Sequence, residues 1–215
     1  MSVQETRDTK ERILDTAERL FAEHGFDATS LRAITSEADV NLAAVHYHFG
    51  SKDALIEAVF ARRLGPLNRQ RLRELDALET AGDPTVEQIL AAFVGPPLRL
   101  HQEVLESGSD LMRLYGRTMA EPRQLFQQIF SEQFREVVER FTVALRHALP
   151  ELAVDDLFWN LHFSIGTMAH SMCDADRITL ISGGKIASPG VDDTLARLVA
   201  FVAAGMRGSR TEQPS

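Results

Sequence analysis

Cys173 is the only cysteine in this chain of 215 residues. One thiol cannot close an intramolecular disulfide, nor supply a multi-thiolate metal site. Long apolar runs are missing too. No stretch reaches the ~20 residues needed to span a bilayer, and the opening segment MSVQETRDTKER lacks the apolar core of a signal peptide. The expectation is a chain in the reducing cytoplasm, with no membrane among its partners. Positive charge is also short: 23 Lys and Arg against 31 Asp and Glu give a net charge of −8, which argues against a generic polyanion binder. There is no sustained β alternation and no internal repeat. The sequence contains no Gly-x-Ser-x-Gly elbow, no Gly-x-Gly-x-x-Gly, no phosphate-cradling Gly-Lys-Ser/Thr and no His-Glu-x-x-His, so no catalytic residue and no cofactor is expected. His162, His170 and Cys173 do not make a zinc site, because only 162 and 170 share a helix face, two turns apart.

What is present is an ordinary globular balance of 44% hydrophobic and 25% charged residues, enough to bury a substantial core. The most informative stretch is 31–52, LRAITSEADVNLAAVHYHFGSK. Leu31, Ile34 and Ala38 recur at helical spacing behind Ser30, which can accept a backbone N–H as N-cap. Asp39 can take the left-handed conformation of a helix exit. Asn41 caps a second helix, in which Val45 and Phe49 form an inward i, i+4 pair. That leaves Leu42, Ala43, Ala44, His46, Tyr47 and His48 for an outer face of small residues and a His-Tyr-His cluster, the pattern of a helix-turn-helix recognition unit.

These residues carry a resemblance to the DNA-binding domain of the tetracycline-repressor (TetR) family. It runs through Ile13-Leu14, Ala17, Leu20-Phe21, Gly25-Phe26, Thr29-Ser30-Leu31, Ile34, Ala38, Val40-Asn41, Val45, His48-Phe49, Lys52 and Leu55. Asp39, Thr35 and His46 depart from it, standing where the family usually has Gly, Ala and Tyr. The resemblance implies an all-α protein: a three-helix helix-turn-helix DNA-binding domain over 1–55, then a larger helical ligand-binding and dimerisation bundle over 56–208. Residues 209–215 are read as a disordered tail. The implied partners are double-stranded operator DNA, a small hydrophobic effector and a second copy of the chain.

For DNA, Thr29, Tyr47, His48 and Lys52 are expected to position phosphates, with Arg32 reaching the backbone. Asn41, Leu42, Ala43, Ala44 and His46 are expected to face the groove. Residues 1–53 hold only six Lys and Arg against ten Asp and Glu, so affinity must come from local placement and from pairing of subunits.

Helix one is expected over 8–24, with Asp8 and Glu11 at capping-box spacing and Gly25 ending it. Gly65-Pro66 is expected to interrupt the next helix, either as a kink that could serve as a lever between the two regions or as the end of one helix and the start of another, and Gly95-Pro96-Pro97 is expected to disrupt a later one. Arg62, Arg63, Arg69, Arg71 and Arg73 read as a solvated face pairing with Glu74, Asp76 and Glu79. Further helices are expected over 123–149, 154–173 and 191–207. The helix from Leu157 to His170 is apolar nearly all round, and so is the last one; each needs a second partner face. Under the resemblance these two form the dimer interface, and the bundle holds the effector. Phe93, Leu100, Met112, Tyr115, Met119, Phe126, Phe130, Trp159, His162 and Phe163 are the expected ligand-binding residues. The rival reading is a helical small-molecule-binding protein or an enzyme whose helix-turn-helix is not functional.

Overall fold

The computed structural model describes residues 3–107, 123–173, 177–187 and 189–209. Among them the regular elements are all helical: α1 (Val3–His24), α2 (Leu31–Glu37), α3 (Leu42–His48), α4 (Lys52–Ala81), α5 (Val86–Ser107), α6 (Arg123–Ala148), α7 (Val154–Cys173), α8 (Arg177–Ile181) and α9 (Val191–Gly208). The chain divides into two compact units. One comprises residues 1–66 with 104–135; the other comprises 67–103 with 136–215.

In the first unit, α1 buries Ile13, Leu14, Ala17, Leu20 and Phe21. This is the stripe that the helical period selects. Phe26 packs between Phe21 and Phe60 with its ring tilted to both, at 5.3 and 6.0 Å between ring centroids. The boundary expected at residue 55 falls inside this core, because Leu55, Ile56, Val59, Phe60 and Leu64 of α4 are all buried. The expected capping box does not form. With no Gly or Pro before Asp8, α1 propagates back to Val3, so Asp8 and Glu11 are interior helical positions exposed to solvent.

In the second unit, one core joins Leu75 of α4, Ile89, Leu90 and Phe93 of α5, Val137 and Phe141 of α6, Leu157 and Leu161 of α7, and Leu198, Val202 and Met206 of α9. Thr85 opens α5 with a reciprocal cap: its hydroxyl accepts from the Gln88 N–H at 3.3 Å, while the Gln88 side chain accepts from the Thr85 N–H at 2.8 Å. Neither proline break occurs. Pro66 lies inside α4, and Pro96 and Pro97 lie inside α5. A proline keeps a helical φ and loses one hydrogen bond, so a helix can survive it where packing or another donor compensates.

That donor is visible in α5. Pro97 has no N–H for the carbonyl of Phe93, four residues back. Arg71, buried at 2% exposure, donates its Nε–H to that carbonyl at 2.8 Å. Its Nη1 donates to Asn68 Oδ1 at 3.1 Å, and its guanidinium lies 4.9 Å from the Phe93 ring centroid. Arg71→Met should therefore destabilise the chain by about 2–4 kcal/mol in urea unfolding, from an orphaned carbonyl and a lost cation–π contact. Adding Pro97→Ala restores an N–H for Phe93 and should recover part of that loss. Equal stability of the single and double variants would refute the assignment.

The basic run around Arg71 is a solvated face only in part: Arg69 and Arg73 are exposed as expected, while Arg71 is buried. Arg62 and Arg63 reach back to Glu18 of α1. Glu74 is taken by Arg99 at 3.1 Å, and Asp76 and Glu79 by Arg140 at 2.7 and 2.9 Å. Partners on neighbouring helices have displaced the local i, i+4 pairs. Another difference is α8, a five-residue helix for which the sequence carries no expectation.

Candidate nucleic-acid interface

The helix-turn-helix is built by caps and one staple. Ser30 Oγ accepts from the Ala33 N–H at 3.1 Å and starts α2; Asn41 Oδ1 accepts from the Ala44 N–H at 2.8 Å and starts α3. Between them Asp39 takes φ +50°, the left-handed exit expected of it. Arg12 from α1 holds that turn, donating to the carbonyls of Ala38 and of Asp39, the latter at 2.8 Å. An Asp in place of Gly is thus supported by a guanidinium over its backbone. Thr35, the second departure, is buried and donates its hydroxyl to the Arg32 carbonyl at 3.1 Å.

Val45 is fully buried and anchors α3 from below, with Phe49 half-buried just past its end. Asn41, Leu42, Ala43, His46 and Tyr47 are exposed, while Ala44 and His48 are half-buried. Tyr47 stands out at 80% exposure, edge-on to the His48 ring at 5.1 Å. Arg32 on α2 is exposed. Ser51 caps α4, accepting from the Ala54 N–H at 3.1 Å, and the half-buried Lys52 donates to the Asp27 carbonyl at 3.4 Å. Lys10, which sequence reading passed over, lies 6.0 Å from the Phe49 ring centroid and brings a cation to the same end of α3.

Thr29 needs correcting. It is only 2% exposed, and its hydroxyl donates inward, to the carbonyls of Gly25 at 2.8 Å and Leu20 at 3.1 Å. The β-branched hydroxyl closes the end of α1 and cannot reach a phosphate from there.

Behind this surface, Glu18 of α1 is buried to 5% exposure between two adjacent arginines of α4. Arg62 donates to one carboxylate oxygen, and Arg63 donates through Nη2 at 2.7 Å and Nε at 2.9 Å. Burial alone would depress the Arg62 pKa. The hydrogen bonds to Glu18 and Asp15 outweigh it and hold that pKa above its ordinary value.

The expected effector residues fare differently. Phe93 is core, 5.1 Å from the Phe141 ring centroid, and Leu100 is half-buried. Trp159, His162 and Phe163 are not interior walls. The buried stripe of α7 is Leu157, Asn160, Leu161, Ser164 and Met168, which turns these three rings outward; Trp159 and Phe163 are each 59% exposed. Met112, Tyr115 and Met119 lie outside the described residues, as do the side chains of Phe126 and Phe130.

His101, missed in the sequence, is 8% exposed on α5. Burial pushes its pKa below the ordinary histidine value, with the Met172 carbonyl opposing in part. A histidine that resists protonation when folded makes the unfolded chain the better proton acceptor as pH falls below about 6.5. Stability is then fully present above that pH and declines as pH drops toward the depressed folded value. His101→Leu should flatten the loss of stability between pH 7.5 and pH 5, measured by urea unfolding at each pH; an unchanged slope would remove the assignment.

No helix among the described residues is long and apolar enough to cross a membrane. The described residues also contain no cluster of three His, Cys, Asp or Glu fit for a metal.

A capped and stapled helix pair on a three-helix core, followed by a larger helical unit, defines a helix-turn-helix protein of the regulator type. Two family models match, the bacterial regulatory proteins of the tetR family over residues 13–59 and the tetracyclin repressor-like C-terminal domain over residues 91–205. The second alone covers more than half of the chain, which therefore belongs to the TetR family. Relatives include the HTH-type transcriptional regulator YerO of Bacillus subtilis, 26% identical over 148 residues, 63% of this chain and 50% of that protein. The HTH-type transcriptional regulator SrpR of Pseudomonas putida is 29% identical over 135 residues, 62% of this chain and 63% of that protein. The chain thus spans one half to under two thirds of these relatives. The crystal structure of Bacillus subtilis FadR in complex with stearoyl-CoA shares the fold, with a TM-score of 0.58 at 17% identity, covering 91% of this chain and 98% of that one.

Proposed function

We propose that this chain is a ligand-responsive repressor, which binds operator DNA as a homodimer and leaves it when a small lipophilic effector binds. The observation that carries the reading is the α2–α3 pair. A recognition helix is fixed at its N-terminus by Asn41, at its turn by Arg12 and from below by Val45, and it leaves Leu42, Ala43, His46 and Tyr47 exposed for a groove. Arg32, Tyr47, His48 and Lys52 position phosphates; Asn41, Leu42, Ala43, Ala44 and His46 face bases. Two copies supply what an acidic N-terminal region lacks, since a two-fold pair reads two half-sites about 34 Å or a multiple apart. Effector and DNA are coupled by linkage: the effector must bind the DNA-incompetent arrangement more tightly, with a typical coupling of about 1–3 kcal/mol. The relative crystallised with stearoyl-CoA supports a lipophilic effector class.

The test is a selection of binding sites from random duplexes, followed by gel shifts with and without lipophilic effectors such as long-chain acyl thioesters. A specific site released by one such compound is the expected result. Lys52→Ala should weaken all sites evenly and lower the salt slope by about one. No enrichment of any duplex would favour a ligand-binding bundle with an inactive helix-turn-helix.

A further inference from the structure

One imidazole on α3 is held in a single tautomer. His46 Nδ1 lies 3.0 Å from the carbonyl oxygen of Gly50. A carbonyl only accepts, so the ring proton of neutral His46 sits on Nδ1. The acceptor is well fixed. Gly50 has φ +80°, and its own N–H donates back to the His46 carbonyl at 3.0 Å, closing a reciprocal pair between the two residues. Ser51, next in the chain, is tied down by capping α4. With Nδ1 committed, Nε2 carries a lone pair and no proton. His46 is exposed, one turn from Leu42 and Ala43 on the outer side of a helix whose opposite side is anchored by the buried Val45.

This fixes what His46 can recognise. A lone pair repels a phosphate oxygen, and it cannot donate to the O6 or N7 of guanine. In the major groove it matches only an exocyclic amino group, N6 of adenine or N4 of cytosine. We propose that His46 is an acceptor-only base reader, which takes a hydrogen bond from one adenine or cytosine amino group in each half-site. This rests on the reading of α3 as the recognition helix and adds which atoms it reads.

The experiment uses the full-length chain in three steps. First, long-range proton–nitrogen NMR correlations on the free protein, at a pH where imidazoles are neutral, report the tautomer; a proton on Nδ1 is expected, and a proton on Nε2 overturns the proposal. Second, sites selected by wild type and by His46→Phe are compared. One base pair per half-site should lose its preference in the variant while the others keep theirs; a uniform loss with an unchanged preference would make His46 a backbone contact and end the proposal. Third, the adenine or cytosine at that pair is replaced by its analogue lacking the amino group. Wild-type affinity should fall about fivefold, the worth of one hydrogen bond, and that of His46→Phe should not change. A 7-deaza purine at the same pair should leave wild type unaffected. Loss with the 7-deaza analogue and none with the amino-less one would mean that the ring donates, and would refute the assignment. Failure of the wild type to select any site would instead remove the DNA reading, whatever the tautomer.

Discussion

Replacing Glu18 with alanine should lower the thermal midpoint by about 10 °C. The carboxylate is 5% exposed and takes hydrogen bonds from Arg62 and Arg63 together. Removing one partner of a buried ion pair costs about 3–5 kcal/mol, because the charges left behind are still partly out of water. Here the group left under-paired is chiefly Arg62, whose side chain is 21% exposed and which would keep only the exposed Asp15 at 2.6 Å and Glu11 at 3.5 Å. For a chain of this size each kcal/mol shifts the midpoint by about 2–4 °C. Asp15 is the control. It meets the same Arg62 at 2.6 Å but is 73% exposed, so Asp15→Ala should cost under about 1 kcal/mol. Glu18→Gln keeps an acceptor without the charge and should fall between the two. If Glu18→Ala and Asp15→Ala were equally mild in calorimetry, the arginines would be free to rehydrate, and the clamp would contribute little to holding α1 against α4.

Local chemistry is the part of this arrangement that the sequence shows in advance. The caps at Ser30, Asn41 and Ser51, the left-handed Asp39 and the glycine ending α1 all depend on residues within a few positions of one another. So does the apolar stripe of α1. The Glu18 clamp joins residues 44 and 45 positions apart, and Arg71 meets the Phe93 carbonyl across 22. Nothing in the charge pattern of 62–79 distinguishes those arginines from solvated ones. The proline positions mislead for the same reason: a break is a local expectation, and the donor that repairs α5 comes from another helix. Thr29 belongs to a pattern shared with a DNA-binding family, yet its hydroxyl is spent inside the fold. Outward aromatics on α7 are legible as apolar residues, but the sequence alone does not say on which side of the helix the core lies.

That side decides the second large effect. Trp159→Glu combined with Phe201→Glu should convert the proposed homodimer to a monomer and weaken the proposed operator binding by about a hundredfold or more, the avidity of two linked sites. Helices α7 and α9 pack on each other, and Leu161 and Met168 of α7 share one buried cluster with Leu198, Val202 and Ala203 of α9. Each then carries a second apolar stripe on its far side. Phe158, Trp159 and Phe163 are 49%, 59% and 59% exposed on α7, and Phe201 is 70% exposed on α9. Rings of this size leave roughly 100 Å² or more uncovered apiece, about 1,000 Å² for two copies. Such an area is worth about 25 kcal/mol gross if covered, above the ~4–15 kcal/mol that association costs. Alanines 200 and 204 and Gly205 beside Phe201 are exposed as well, leaving room for a close approach. Two carboxylates placed there cannot be desolvated without partners, so the pair separates. Both positions face solvent within one subunit, so the helical circular dichroism of the variant should match the wild type at low concentration. Sedimentation reads the outcome: a variant still dimeric at micromolar concentration would mean that the two subunits meet elsewhere, and the outward rings of α7 would need another partner.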